Sequence, residues 1–145
     1  MVKTIGNIVN NSESMEVMLR MLNIEFSKFN NSIKKFYNQK NDIDKKDVMM
    51  NVFVMLINIH KYMMVLQFMN LENNYDLEAL EVKKGFCTFM LTEILKENNV
   101  NINIMAIIQE FIFSNDEINT KMVEKHFNKI TNSKGCNCSK NEGDK

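Results

Sequence analysis

From Val48 to Met69 the chain reads VMMNVFVMLINIHKYMMVLQFM, and only Asn51, Asn58, His60, Lys61 and Gln67 interrupt its apolar residues. A surface helix shows one apolar stripe, whereas a helix that is apolar nearly all round has to be enclosed by other helices or by lipid. About 20 apolar residues suffice to span a bilayer, so length alone permits a membrane helix. The polar residues argue against it, since a central Lys costs about 2.5–3.5 kcal/mol on insertion scales. On a helical wheel Asn51, Asn58 and Lys61 share one edge, with His60 and Gln67 almost opposite. That pattern suits a helix sandwiched between neighbours, and no membrane span is expected.

A chain of 145 residues, 45% apolar and 25% charged, suits one globular domain with a core of its own. Its formal net charge of zero removes any whole-chain argument for nucleic acid or an anionic membrane. Locally the middle is acidic and both ends are mildly basic. There is no Pro, and Gly85 is the one glycine placed to mark either a hinge or a close helix approach. Arg20 is the only Arg, and Lys, Asn and Ile are in excess. Such usage reflects an AT-rich coding genome, as in many viruses, phages and low-GC bacteria, and suits a virus- or mobile-element-encoded protein. The N-terminus has no apolar signal-like core and the chain has three Cys, so a reduced, cytoplasmic setting is expected.

The clearest periodicity lies ahead of the central run. Met15, Leu19, Leu22, Phe26, Phe29, Ile33 and Phe36 alternate in steps of four and three, which aligns them on one seam of a helix over 13–38, with Ile5 and Ile8 extending the spacing backwards. The seam fits either a homodimer through 15–36 or one helix of an intramolecular bundle. Flanking Met18, Asn23, Glu25, Asn30, Ser32 and Tyr37 are not paired charges, and Phe is bulky for a two-stranded seam, which favours the bundle. Asp42 or Asp44 is expected to cap a second helix over 44–70. Asn73 or Asn74 is expected to cap a third over about 75–98, with Asp76, Glu78 and Glu81 in its first turns and Gly85–Leu95 as its buried half. A fourth helix is expected near 103–113, in preference to a short strand around Val100–Ile104. Ser114 and Glu117 form a capping-box pattern for a fifth over 115–131. The expected organisation is a helical domain at 1–131 and a disordered polar tail at 132–145.

No complete catalytic set is visible. His60 and His126 are the only histidines; His60 reads as a core or groove residue and His126, among Lys121, Lys125 and Lys129, as a surface one. Glu78 and Glu81 have the spacing of half a carboxylate metal site, but the second helix supplies no matching pair. Cys136 and Cys138 form one C-x-C without a second pair, short of a zinc site, and Cys87 reads as core. No metal and no cofactor is expected, and the chain is expected not to be an enzyme. Lys121, Lys125 and Lys129 recur every four residues and make a basic stripe. That is the best nucleic-acid argument in the chain, limited by the absence of Arg nearby and of a recognition helix. Of thirteen Met, nine group at Met15, Met18 and Met21, at Met49, Met50 and Met55, and at Met63, Met64 and Met69, with Met90, Met105 and Met122 further on. Met-lined surfaces accept varied apolar partners, although Met is also a plain gap filler.

The expected fold is all-α, a single-domain bundle of about five helices around the central apolar helix 48–69. In outline this is similar to the Bcl-2-like interaction proteins, a likeness of shape without an Asn-Trp-Gly-Arg segment or any Trp. The expected function is that of a non-enzymatic interaction or regulatory protein. It would bind another protein through an apolar, Met-rich surface drawn from Met55, Tyr62, Met63, Phe86 and Met90. The alternative is a small nucleic-acid-binding regulator using Lys121, Lys125 and Lys129 on 115–131.

Overall fold

The seam at 15–36 finds its cover inside the chain. In a computed structural model, which describes residues 2–70, 75–114 and 117–129 with side chains from Ser14 onward, helix α1 (Val2–Asn38) buries Met15, Leu22, Phe26, Phe29, Ile33 and Phe36. Leu19, at the edge of the seam, is half-buried. Its cover is α2 (Asp42–Met69), with which α1 shares the most extensive helix–helix contact of the fold. A homodimer through 15–36 would therefore require α1 to leave its own bundle. Gln39–Asn41 turn the chain back, so the two helices run antiparallel, with Ser32 meeting Met55 and Lys45 lying over the Phe36 ring. The cap of α2 is Asn41, one residue ahead of the expected aspartates. Its side chain accepts from the backbone N–H of Ile43 at 2.8 Å and of Asp44 at 3.4 Å, which leaves Asp42 and Asp44 in the first turn to complement the helix dipole.

Three of the five polar interruptions of α2 meet partners on different neighbours, as a sandwiched helix requires, while Asn51 donates to the Asp47 carbonyl of its own helix at 3.0 Å. His60 Nε2 lies 3.1 Å from Thr88 Oγ1, and Gln67 donates to Glu81, both on α3 (Glu78–Glu97). Lys61 Nζ donates to the Ser114 carbonyl at 2.7 Å, just beyond α4 (Ile104–Ile112). A cation there also complements the carbonyl end of that helix. By length and composition α2 would reach across a membrane; in this fold Val48–Phe53, Leu56, Ile57, Ile59, Met63 and Leu66 supply most of its buried surface, with Asn51 the exposed exception in the first stretch.

Helix α3 is antiparallel to α2 and so parallel to α1. Lys83 Nζ sits 4.9 Å from the centroid of Phe26, and Tyr37 donates to Glu97 at 3.2 Å, tying both ends of the pair. Asp76, whose side chain accepts from Glu78 N–H at 3.0 Å, stands at its start; Asn73 and Asn74 lie outside the described residues. Asn99 closes α3 in the left-handed region, at φ 60°. The N–H of Asn99 bonds to Lys96 O and that of Val100 to Leu95 O, a paired closure that Asn tolerates better than branched residues. Residues 99–103 are loop rather than strand, and Asn103 caps α4 by accepting from Met105 N–H. Ile104, Ile107, Ile108 and Phe111 are its buried face, as the spacing predicts.

A fifth helix, α5, occupies residues 120–129 of the described chain and starts later than the capping-box pattern predicts. Asn119 caps it, accepting from Met122 N–H at 3.0 Å, while Ser114 offers its carbonyl to Lys61 and Glu117 precedes the helix. Ile118, Val123 and Phe127 are buried, and Phe127 meets Phe53 edge to face with ring centroids 6.1 Å apart. The described residues are thus all helix and loop, an all-α single-domain bundle. The expected tail at 132–145 lies outside them.

Gly85 corrects another expectation. A Cβ built there would meet nothing within 4 Å, so among the described residues no helix approaches it closely. Gly in an exposed helix interior costs about 0.5–1 kcal/mol relative to Ala. Gly85→Ala is expected to raise the unfolding free energy by that amount in urea titrations; a loss of stability would show that the site is not open.

Candidate interaction surface

The α3 run from Gly85 to Leu95 is not a uniformly buried half. Only Cys87, Leu91, Ile94 and Leu95 are buried. Opposite them Val82, Phe86 and Phe89, spaced to form one stripe, are 53%, 64% and 61% exposed. Glu78 precedes the stripe, and Glu93 and Lys96 follow it. Isolated apolar residues on a surface need no explanation; here two adjacent, mostly solvated phenylalanines and a valine make one continuous apolar stripe on a helix face. On α1 a parallel but less exposed stripe holds Val17, Met21 and Ile24.

The five residues expected to bind a partner do not gather into one groove. Phe86 lies on the α3 stripe and Met90 is half-buried beside it. Met55 and Tyr62 are half-buried on a different side of α2. There Ser32 Oγ reaches Met55 Sδ at 3.5 Å, and Glu25 and Lys28 of α1 act electrostatically on Tyr62. Met63 is fully buried and belongs to the core. Met15, Met49 and Met50 are buried with it, most of the other described methionines are half-buried, and among the exposed apolar residues Phe outnumbers Met. Phe89 escapes sequence reasoning because GFCTFMLTEIL reads as one largely apolar run, and Val82 because it stands ahead of that run among Glu81, Lys83 and Lys84. The available signal was the spacing Val82–Phe86–Phe89, which parallels Cys87–Leu91–Ile94 on the opposite face.

The remaining candidates have local structural explanations. Thr88 donates its hydroxyl to the Lys84 carbonyl at 2.9 Å, so His60 must donate Nε2–H to Thr88 Oγ1. Burial first, and the nearby Lys84 second, lower the imidazole to about 4, against the weaker pull of Glu81, so the ring stays neutral. Burial pushes the Cys87 thiol up to about 11, which leaves it a poor nucleophile. Glu81 is engaged by Lys84 at 2.7 Å and by Gln67. Among the described residues no three His, Cys, Asp or Glu side chains converge as metal ligands. His126 is half-buried, its ring edge-on to Phe111 at 5.8 Å. Lys121, Lys125 and Lys129 are exposed along α5, and Glu124 between them pairs with Lys46 at 3.3 Å. Cys136 and Cys138 lie outside the described residues.

A separate cleft of about 540 Å³ opens at the end of the bundle, walled by Met49, Met50, Val100, Ile102 and Phe127 with Lys46 among its lining residues. None of the five expected partner-binding residues lines it. Searches against protein-family models, curated proteins and solved structures find no match for this chain.

Proposed function

We propose that this chain is a non-enzymatic helical interaction protein that binds another protein through the outward face of α3. The observation that carries the reading is the exposure of Phe86 and Phe89, 64% and 61%, side by side on one helix. Aromatic side chains supply large contact area, and interface hot spots centre on such anchors. Val82 and the half-buried Met90 extend the patch, and Glu78, Glu93 and Lys96 give it a polar rim. The partner engagement of His60, Lys61 and Gln67 supports a bundle helix over a membrane span. The buried thiol of Cys87 suits a reducing, intracellular setting. Nucleic-acid binding through Lys121, Lys125 and Lys129 is the second reading. The exposure of all three supports it, and it would act through phosphate contacts.

The test is affinity capture from a lysate of the native source, comparing the natural chain with Phe86→Asp/Phe89→Asp. Both positions are solvated, so the variant is expected to keep its helical circular dichroism. A protein retained by the natural chain and lost by the variant is the expected result. Identical retention by both would remove α3 as the binding face.

A further inference from the structure

We propose that the outer face of α3 docks against the same face of a second copy of this chain, antiparallel, about a two-fold axis midway between Phe86 and Phe89. The inference rests on the reading of α3 as the interaction face and names the occupant. Three features of the stripe are self-complementary when the helix is reversed on itself. The first is aromatic: aligning the midpoint sets Phe86 against Phe89 of the second copy, and the symmetry repeats the pair, giving four rings at the centre of the contact. Val82 then lies along the aliphatic stem of Glu93 in the other copy, whose carboxylate reaches water beyond it.

The second feature is charge. Glu78 at the start of the stripe has no ion pair among the described residues, and Lys96 near its end holds Glu93 only loosely, at 3.6 Å with most of its side chain in water. In the reversed register Glu78 of each copy falls beside Lys96 of the other. Two opposite-charge pairs therefore bracket the aromatic centre, whereas a parallel arrangement would set Glu78 against Glu78 and Lys96 against Lys96. Reversal also opposes the two helix dipoles.

The third feature is Gly85. It flanks the stripe next to Phe89, is exposed, and has open space where its Cβ would be. Among the described residues no helix of its own chain uses that flat position. In the reversed register it faces the Phe89 ring of the second copy, so the close approach that a helix glycine permits occurs between chains. Two Phe and one Val per copy make a contact smaller than the roughly 1,200–2,000 Å² of stable complexes, so the pairing is weak and depends on concentration.

Sedimentation equilibrium of the purified full chain over a wide concentration range tests this. The expected result is a reversible monomer–dimer equilibrium. Phe86→Glu/Phe89→Glu abolishes it, with helical circular dichroism unchanged. Gly85→Gln weakens it about tenfold while leaving the monomer at least as stable, because Gln is the better helix former. Glu78→Lys and Lys96→Glu each weaken the dimer, and the two combined restore it. A single-chain mass at every concentration would overturn self-pairing, while the capture experiment still decides whether α3 binds a different protein. A dimer indifferent to the Phe substitutions would also overturn it, and failure of the combined charge reversal to restore pairing would overturn the antiparallel register.

Discussion

Replacing Phe53 with Ala is expected to lower the unfolding free energy by about 3–5 kcal/mol, the range found for truncating fully buried aromatic side chains. Phe53 has no exposed surface and sits in the buried arc of α2. Its ring meets Phe127 of α5 edge to face, at 6.1 Å and 64°, a geometry that adds about 0.5–1.5 kcal/mol beyond burial itself. Truncation removes the transfer energy of the ring, leaves a cavity beneath α5, and strips that helix of its main aromatic contact. Since small domains hold only about 5–15 kcal/mol in total, the variant should stand near the edge of folding at room temperature. Urea unfolding followed by circular dichroism reads the loss. Phe127→Ala, alone and combined with Phe53→Ala, separates the ring–ring coupling from the rest. A loss below about 1 kcal/mol would mean that α5 does not close over Phe53.

The second large effect is acid sensitivity from His60. An imidazole with a pKa near 6.5 in the unfolded chain falls to about 4 in the fold, chiefly through burial and then through Lys84. Between those values the unfolded chain binds more protons than the folded one, so stability rises with pH across the window. The stabilisation is complete above pH 6.5 and is withdrawn as the pH falls towards 4. The slope is about 1 kcal/mol per pH unit and the total about 3 kcal/mol. His60→Gln keeps a donor for Thr88 and has no charge to acquire, so its stability should lie flatter between pH 6.5 and 4 than that of the natural chain. Parallel urea titrations at several pH values compare the two. Equal slopes would show that other groups carry the acid response. Protonation strains the α2–α3 contact, the one that holds α3 with its exposed stripe facing outward.

Much of the fold was legible in the residues. The spacing from Met15 to Phe36 identifies the buried side of α1, because each apolar position returns to the same face of a helix. Ile104, Ile107, Ile108 and Phe111 identify that of α4 in the same way. The two sets of polar interruptions in the central run predict neighbours on opposed sides, and Thr88 and Ser114 prove to be among their partners. Helix starts were less legible where several capping residues compete within a few positions. Asn41 prevails over Asp42 and Asp44, and Asn119 over Ser114, which instead offers its carbonyl to Lys61. The residue that caps is the one whose backbone is still extended where the helix begins, φ −88° and ψ 128° at Asn41, and several neighbouring Asn, Asp and Ser could fill that place equally well.

The candidate surface was only half legible. Phe86 and Met90 were expected at it, but Met55, Tyr62 and Met63 were grouped with them on the strength of residue type alone. A helix apolar all round has no preferred face of its own; its exposed side is whichever one the surrounding helices leave uncovered. For α2 that leaves Met63 in the core and Met55 and Tyr62 half-covered beside α1. For α3, which meets α2 through Thr88 and Glu81 and buries Cys87, Leu91 and Ile94 in the core, it leaves Val82, Phe86 and Phe89 in water. The sequence by itself determined the helical periods, the central place of 48–69 and the seam of α1, because these follow from side-chain spacing within one segment. Only the tertiary structure decided which apolar residues remain outside, because burial depends on how many neighbours reach each face of each helix.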